Sequence, residues 1–341
     1  MSDFLLAEGF GNLTDGTHLA GTSREILGDQ WSSFDQNFAI EDRADGRKRM
    51  IWIGSNTRPG MVTGNLGGIS TVALAFRVTR HSADHCTFAT FRDSTWILGV
   101  VTINAAGNVA YCKSATGTAI VASAAVPLDT ETHIEVRILF HQSAGSVHIY
   151  INGILADSAT GIDTIDQGAT LDNILFFTTA QTAYLYTGWK WGDFVIHTGT
   201  SPIGDVGVYY LPADADGADS DFTPSAGANY QCVDEIGPDE DTTYNESDGT
   251  AGHRDSFETA GIAGMDILSV GVLARARKTD SGAATLLLGA IHGASEDQSA
   301  AKGLSEDYLT FTEFFDVCPS TSAAWSSTEV TAAEFSHEVG A

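Results

Sequence analysis

Apolar and polar residues alternate with a period of two along much of this chain, which is typical of β-strands that bury one face. The pattern is clearest in "HIEVRILF" (133–140), where every second residue is apolar, and in "GSVHIYI" (145–151). Asn152-Gly153 follows directly and suits the two positive-φ positions of a type I′ turn, after which Ile154 begins a return strand. The spacing therefore predicts three consecutive antiparallel strands. A helix is excluded because the apolar residues do not recur at intervals of three and four.

The same alternation, interrupted by glycine-containing turns, continues through the first 200 residues. Further strands are predicted at 71–80, 86–93, 96–104 and 108–114, and an aromatic run at 173–199 closes the block. Short strands separated by turns at spacings of about eight to twelve residues are typical of a β-sandwich. We therefore assign residues 1–200 to one β-sandwich domain.

The composition changes at "TGTSPIGD" (198–205), which we interpret as a linker. The acidic, turn-rich stretch that follows at 212–250 is long for a loop, so it predicts ordered surface structure or a binding arm. Alternating apolar residues then return at 266–280, 284–293 and 308–318. Residues 201–341 are accordingly predicted to form a second, smaller β-rich domain.

One short helix is predicted close to the end of the chain. Ser326 or Ser327 can serve as its N-cap, because a serine oxygen accepts hydrogen bonds from the first free backbone N–H groups. We expect this helix to run through Glu329 and Phe335.

The charge of the chain restricts its partners. The 341 residues carry a formal net charge of −27, so we predict neither nucleic acid nor an anionic membrane surface as a partner. No apolar run approaches the roughly 20 residues that a membrane-spanning helix needs. The opening "MSDFLLAEGFGNL" lacks the basic and apolar segments of a secretory signal, which predicts synthesis in a cytoplasm without a signal peptide.

The four cysteines are scattered and form no CxxC pair, so they are predicted to be buried free thiols: Cys86, Cys112, Cys232 and Cys318.

Candidate catalytic groups are sparse in this sequence. Glu135 has no acidic neighbour two residues away, as a pair of glycosidase carboxylates on one strand would require, and we interpret it as a solvent-facing strand residue. His148 alternates outward in its strand and receives the same interpretation. GxSxG, HExxH and phosphate-binding loop motifs are absent. The sequence therefore predicts a protein that is not an enzyme.

Two further groups of residues are candidates for binding. The aromatic residues Tyr184, Tyr186, Trp189 and Trp191 can form a surface platform on which a glycan stacks, or they can belong to the sandwich core. Closely spaced carboxylates in "DADGADSD" can bind Ca²⁺ or can form a solvated acidic turn: Asp214, Asp216, Asp219 and Asp221. The spacing departs from that of an EF-hand loop, and no other cofactor is predicted.

The stretch "ETHIEVRILFHQSAGSVHIYINGILADSATGI" (131–162) resembles the central hairpins of the laminin G/concanavalin A-like jelly roll. "YTGWKWGDFVI" (186–196) is similar to the final strand of that fold. The resemblance implies an all-β jelly-roll sandwich over residues 1–200. It implies little about function, since one scaffold hosts lectins, glycosidases and structural modules.

The remainder of the chain resembles the back half of structural proteins of tailed bacteriophages. The resemblance is carried by "DSDFTPSAGANYQCVDEIGPDEDTTYNESDGTAGHRDSFE" and by the terminal "PSTSAAWSSTEVTAAEFSHEVG". Phe222 stands where that pattern often has tryptophan. The resemblance implies a virion component exposed on the particle, as a head decoration, tail spike or fibre protein.

These observations predict a structural virion protein whose partners are other virion proteins. The alternative is a carbohydrate-binding protein that recognises the host surface, and a glycan-degrading enzyme is a more distant one. We also expect a homo-oligomer, because the strands at 284–293 and 308–318 carry apolar residues on both faces and call for a second cover. The resemblance to phage appendages implies a trimer.

Overall fold

The computed structural model describes residues 3–10, 18–19, 31–34, 38–45, 47–52, 61–114, 117–177 and 189–340. Within them the chain divides into two compact units, with the boundary in the sequence between Tyr209 and Tyr210. We call residues 3–209 the sandwich unit and residues 210–340 the C-terminal unit. The boundary lies beyond the predicted linker at 198–205, because residues 199–209 are bound to the sandwich.

The sandwich unit consists of two antiparallel sheets. Its strands in chain order are β1 (Phe4–Glu8), β2 (His18–Leu19), β3 (Trp31–Phe34), β4 (Phe38–Asp42), β5 (Lys48–Trp52), β6 (Met61–Thr63), β7 (Thr71–Thr79), β8 (Cys86–Arg92), β9 (Ile97–Ile103), β10 (Asn108–Cys112), β11 (Ala119–Ala125), β12 (Thr132–Leu139), β13 (Gly145–Ile151), β14 (Ile154–Ile162), β15 (Asn173–Phe176) and β16 (Lys190–His197). The nine-stranded sheet has the order β14-β13-β12-β7-β16-β5-β4-β2, with β1 beside β16. The seven-stranded sheet has the order β11-β10-β9-β8-β15-β6-β3.

Aromatic side chains from both sheets fill the core between them. Phe76 of the nine-stranded sheet stacks on Phe88 of the seven-stranded sheet with 3.7 Å between ring centroids. Trp191 stacks on the same ring at 4.8 Å, and Phe194 packs edge-on against Phe176 at 5.4 Å. Because a strand exposes alternate residues to opposite faces, the other face of the nine-stranded sheet is left for polar side chains.

The three strands predicted from the two-residue period are confirmed as β12, β13 and β14. Ile134 pairs with Ile151 and Val136 with Ile149, so the buried residues of β12 and β13 lie side by side. The turn residues Asn152 and Gly153 have φ of 50° and 75°, the sign that a type I′ turn requires at both positions. The four cysteines are free and buried, as predicted.

The C-terminal unit is also built of strands. They are β17 (Ala213–Ser220), β18 (Thr223–Pro224), β19 (Asn245–Glu246), β20 (Arg254–Thr259), β21 (Val270–Ala276), β22 (Thr285–His292), β23 (Ser295–Gln298), β24 (Lys302–Gly303), β25 (Leu309–Phe315) and β26 (Glu334–Val339). Six strands form one sheet, in the order β17-β20-β26-β22-β23 with β24 beside β22, while β18 pairs with β19 and β21 with β25. The acidic stretch is therefore ordered, and Trp325, Phe315 and Ala290 are among the residues of the core.

The predicted terminal helix is present as α1 (Ser327–Ala332), with Ser326 as its N-cap. The Ser326 hydroxyl accepts from the Glu329 N–H, and the Glu329 carboxylate accepts from the Ser326 N–H, which forms a capping box. The prediction that the helix reaches Phe335 is wrong, because Ala333 is extended and Phe335 belongs to β26, where it pairs with Phe257. No helix in the described ranges has the length and apolarity to cross a bilayer.

Candidate functional site

The nine-stranded sheet carries a group of buried polar residues on the face that points away from the core. On strand β7, Leu74 and Phe76 point into the core, whereas Ala73, Ala75 and Arg77 lie on the opposite face, where both alanines are also buried. Registered beside them are charged and imidazole side chains from β12 and β16. We call the following residues the polar face: Arg77, His133, Glu135, Arg137, Asp193 and His197.

Asp193 is the anchor of the polar face. It is fully buried and lies at the bulge of β16, with a φ of 51°. Its Oδ2 accepts from Arg47 Nη1 at 2.5 Å and from Arg43 Nη1 at 3.4 Å, and it lies 3.0 Å from Arg77 Nε. Burial raises the pKa of Asp193, and the three guanidinium groups oppose that rise. One buried carboxylate thus joins two arginines of the β4–β5 connection to Arg77 of β7.

Carboxylates around Asp193 complete the charge balance. Glu131 accepts from Arg43 at 2.6 Å and lies 3.7 Å from Arg77. Asp45 pairs with Arg43 and Arg47, and Asp205 pairs with Arg77 at 2.5 Å. The network contains as many basic residues as carboxylates: Arg43, Arg47, Arg49, Arg77 and Lys190 against Glu41, Asp45, Glu131, Asp193 and Asp205. It therefore offers no net positive charge to an anionic ligand.

Glu135 forms a second centre, and the prediction that it faces solvent is wrong. Its side chain is fully buried, with Arg137 Nη1 at 3.3 Å and His197 Nε2 at 3.6 Å from Oε1. Its Oε2 accepts from the backbone N–H of Ile203 at 3.1 Å. The alternation assigned Glu135 to the outer face correctly, but a backbone segment covers that face. His148 on β13 is half-buried, so it is less exposed than expected.

The covering segment is residues 199–209, which we call the strap. It has no regular secondary structure, and side chains of the sheet bind its backbone in place of a strand ladder. Arg137 Nη2 donates to Gly199 O at 2.6 Å, and Arg77 Nη2 donates to Val206 O at 2.9 Å. Arg137 also donates to the carbonyl of Ser201. The strap is thus held along its length by charged groups of the sheet.

The far end of the strap is fixed next to Asp193. The N–H of Val208 donates to Asp193 Oδ1 at 3.1 Å. A Cβ built on Gly207 would lie 2.0 Å from Arg47 Nη1, so glycine is needed for this close approach. The guanidinium of Arg47 lies 5.1 Å from the ring centroid of Tyr209, a cation–π contact. These contacts explain why the sandwich unit ends at Tyr209 and not at residue 200.

His133 lies beneath the strap. It is fully buried, and neither ring nitrogen has a hydrogen-bond partner among the residues that the structure describes. Burial lowers its pKa to about 4, assisted by the nearby Arg77 and opposed by the carboxylates of Asp205 and Glu135. The imidazole is therefore neutral at neutral pH and contributes no charge to the network.

The predicted glycan platform is only partly within the described residues. Tyr184 and Tyr186 lie outside them. Trp189 and Trp191 are buried, the indole of Trp189 donates to Ser82 Oγ at 2.8 Å, and the two indoles stack at 5.4 Å. The two tryptophans pack in the core between the sheets, so neither offers a surface on which a sugar can stack.

The four aspartates proposed as a Ca²⁺ loop lie on or just after strand β17, so they do not form a loop. Their carboxylates bind protein groups: Asp216 accepts from the Tyr230 N–H at 2.6 Å, Asp221 accepts from the Arg254 N–H at 3.1 Å, and Asp219 pairs with the Arg254 side chain at 2.7 Å. Asp214 is exposed on the strand. No group of three or more His, Cys, Asp or Glu side chains placed to hold a metal ion is found in the described part of the chain.

The sequence interpretation missed the arginines around Asp193. A signal was present, since Arg77 and Asp193 interrupt apolar runs, "TVALAFRVT" and "KWGDFVI", in which a charge needs a buried partner. The pairing itself joins residues about 150 positions apart in the chain, as in the contact between Arg43 and Asp193. That distance in sequence explains why periodicity alone did not reveal the network.

Comparisons with known proteins bear on the fold. No family model matches the chain, and no curated protein matches it. Similar solved structures include the alginate lyase Aly36B, with 17% identity, 58% of this chain and 97% of that chain covered, and a TM-score of 0.40. An endo-β-1,4-glucuronan lyase from the fungus Trichoderma reesei has 9% identity, covers 57% and 100%, and has a TM-score of 0.39. An alginate lyase from a Chlorella virus has 10% identity, covers 54% and 100%, and has a TM-score of 0.40.

At these identities the likeness concerns fold alone. The chain is an all-β protein, as predicted, in which a sandwich of two antiparallel sheets is followed by an additional β-rich region.

Proposed function

We propose that this protein is a non-enzymatic structural component of a tailed-phage virion, exposed on the particle. The observation that supports this role most directly is the strap on the polar face. The buried charges of the nine-stranded sheet are paired with each other and with the protein's own backbone. Such a sheet is suited to holding a rigid shape, since leaving one member of a buried ion pair without its partner is costly.

The paired face also argues against the most distant of the three roles, a glycan-degrading enzyme. A general acid or base must reach the proton that it transfers. Glu135 is fully buried and its carboxylate is occupied by Ile203 and Arg137. A lyase or glycosidase reaction at this face would first require the strap to leave.

The virion assignment is supported by the resemblance of residues 205–340 to phage structural proteins. In the structure, the segment that carries it is ordered by a fully buried carboxylate. Asp255 accepts from the Phe222 N–H at 2.9 Å and from Asn229 Nδ2 at 2.6 Å. The proposed partners are other virion proteins.

Particle analysis tests this role. Phage particles from a culture that carries the gene are purified on a density gradient, and the chain is sought by peptide mass spectrometry and by immunogold labelling. We expect the chain to co-sediment with intact particles and to be labelled on their surface. Its recovery only in the particle-free fraction would overturn the proposal.

A second assay tests the absence of catalysis. The purified full chain is incubated with alginate and with glucuronan, and unsaturated uronate ends are followed by ultraviolet absorbance. We expect no product above the buffer control. Product formation that disappears in Glu135→Gln would instead establish an enzyme.

A further inference from the structure

Trp96 is exposed at one end of the sandwich. It lies in the β8–β9 turn, and 51% of its surface is accessible, the highest value of any aromatic residue described by the structure. The sequence analysis assigned it only to the start of a strand. A solvent-exposed indole lacks the hydrophobic stabilisation that burial normally gives an aromatic side chain.

The turn that carries Trp96 is rigidly held. The Thr95 N–H donates to Asp93 Oδ1 at 2.8 Å, the Trp96 N–H donates to the same oxygen, and the Asp93 N–H donates to Trp96 O at 3.1 Å. The Ser94 N–H donates to Asp172 Oδ2 at 2.7 Å, which ties the turn to a second loop. The indole is therefore displayed on a fixed support, an arrangement that lowers the entropy cost of binding.

Two further loops lie beside this turn. Gly168 approaches Asp93 so closely that an added Cβ would lie 2.1 Å from Asp93 Oδ2. Gly68 also lies close to this loop. A Cβ added to Gly68 would lie 3.5 Å from Thr170 Oγ1 and 3.7 Å from Asp172 Oδ1. We call residues 65–68, 93–97 and 166–172 the Trp96 rim.

The chemistry of the rim suits an uncharged sugar. The exposed residues of the rim include hydroxyl and amide side chains, namely Ser94, Thr95, Gln167 and Asn65. The three segments contain three aspartates and no lysine, arginine or histidine, so they repel anionic ligands. The exposed large apolar side chains of the rim are the neighbours Trp96 and Ile97, 51% and 38% accessible. Two adjacent side chains are too small an apolar area for a stable protein interface, and the Trp96 indole matches the size of one sugar ring.

We propose that the Trp96 rim binds an uncharged glycan, with one sugar ring stacked on the Trp96 indole and its hydroxyls bonded to the surrounding side chains. This site differs from the aromatic set predicted from the sequence. It goes beyond the proposed structural role and does not depend on it. Particle analysis tests the structural role and glycan binding tests the Trp96 rim, so the failure of one proposal can be distinguished from the failure of the other.

Binding of the full chain to an array of uncharged oligosaccharides of glucose, galactose, mannose and N-acetylglucosamine tests the proposal, with alginate oligosaccharide as the anionic comparison. We expect binding to at least one uncharged glycan and none to alginate. Trp96→Ala should lower the affinity for that glycan about tenfold or more, and Trp96→Phe should lower it less. The control Leu155→Ala removes an equally exposed apolar side chain, 50% accessible, from β14 and should leave binding unchanged.

A measurement on the unmutated protein guards against misfolding of the variants. Trp96 is oxidised with N-bromosuccinimide with and without saturating glycan, and its modification is read from the peptide that contains it. Protection of Trp96 by the glycan supports the site. The absence of binding to every uncharged glycan, equal binding by Trp96→Ala, or unchanged oxidation of Trp96 would overturn it.

Discussion

Asp193 shows how one residue can organise a sheet face. Its carboxylate is fully buried, and three guanidinium groups converge on it. In an interior with few competing water molecules, a charge of this kind is tolerated only when its partners are present. Removal of the carboxylate leaves three cations with too few counter-charges beneath the strap.

We therefore predict that Asp193→Asn lowers the free energy of unfolding by about 3–5 kcal/mol. Asparagine also tolerates a positive φ, so the change tests charge with little change in backbone preference. Denaturant unfolding of the full chain measures the effect. The control Asp45→Asn affects a carboxylate that is 42% exposed and should cost about 1 kcal/mol or less. Equal losses in the two variants would contradict the anchoring role of Asp193.

His133 predicts a loss of stability in acid. Burial holds its pKa at about 4 in the folded protein, below the ordinary value of 6.5, so the unfolded chain takes up a proton first as the pH falls. The contribution of His133 to the free energy of unfolding is constant above pH 6.5. It becomes increasingly unfavourable as the pH falls from 6.5 to 4, and the loss of stability is about 2 kcal/mol at pH 5.

The variant His133→Gln cannot titrate, so its unfolding free energy should differ between pH 7 and pH 5 by about 2 kcal/mol less than that of the parent. The control His148→Gln removes a half-buried histidine from the neighbouring strand, so it shows whether the effect depends on the burial of His133 or follows from the loss of any histidine. An unchanged pH dependence in His133→Gln would refute this explanation.

At the level of elements, the β13–β14 turn packs against the strap. A Cβ on Gly153 would lie 3.3 Å from the N atom of Asp205 and 3.6 Å from the Cα of Gly204. Gly153 thus has a positive φ and also lies close to the backbone of the strap, which limits the space for a side chain. Valine meets both obstacles, since it is β-branched and disfavours positive φ.

Gly153→Val is accordingly expected to destabilise the sandwich unit by about 1–3 kcal/mol. The melting temperature of the full chain, followed by near-ultraviolet circular dichroism, provides the measurement. Thr160→Val places the same side chain at an exposed position of β14 and should have little effect. A melting temperature unchanged by Gly153→Val would show that the turn does not need glycine.

The elements that sequence analysis predicted well are those whose hydrophobic pattern is local. The strand predicted at 71–80 is Thr71–Thr79, and that at 86–93 is Cys86–Arg92, because alternation over seven to nine residues determines a strand and its buried face. The capping box of Ser326 and Glu329 is local in the same sense.

Contacts between distant segments could not be predicted in this way. Alternation places Glu135 on the outer face but contains no information about what covers that face. The strap that covers it has no periodicity, so residues 198–205 were interpreted as a linker. For Trp189 and Trp191 the sequence is compatible with both core and surface, because the period of two does not distinguish a buried face from an aromatic surface.

For the whole molecule, the distribution of charge is uneven. Residues 210–341 contain 24 Asp and Glu against 5 Lys and Arg, a net −19, whereas residues 1–209 contain 20 against 12, a net −8. In the C-terminal unit several large apolar side chains are nevertheless exposed: Ile236, Tyr244, Met265, Leu268, Leu273 and Val317. Leu287 of β22, on the face opposite to buried Leu286 and Leu288, is half-buried.

We predict that the full chain forms a homo-oligomer, and the resemblance to phage appendages favours a trimer. Association through apolar contacts would cover part of the exposed apolar surface and would persist at high salt, which screens the repulsion between acidic units. Sedimentation equilibrium at tens of micromolar, at low and high salt, measures the mass. A 36.0 kDa species under both conditions would refute self-association and leave attachment to another protein.

The strap also has a consequence for how the backbone exchanges hydrogen with solvent. Irregular segments usually exchange their amide protons quickly, because their N–H groups lack stable hydrogen bonds. The N–H groups of Ile203 and Val208 donate to carboxylates that are fully buried, Glu135 and Asp193. In deuterated water these two amides should therefore exchange as slowly as those of the strands beneath them, and the Val208 amide should exchange much faster in Asp193→Asn. A segment without a single strand residue would then have the protection of a sheet.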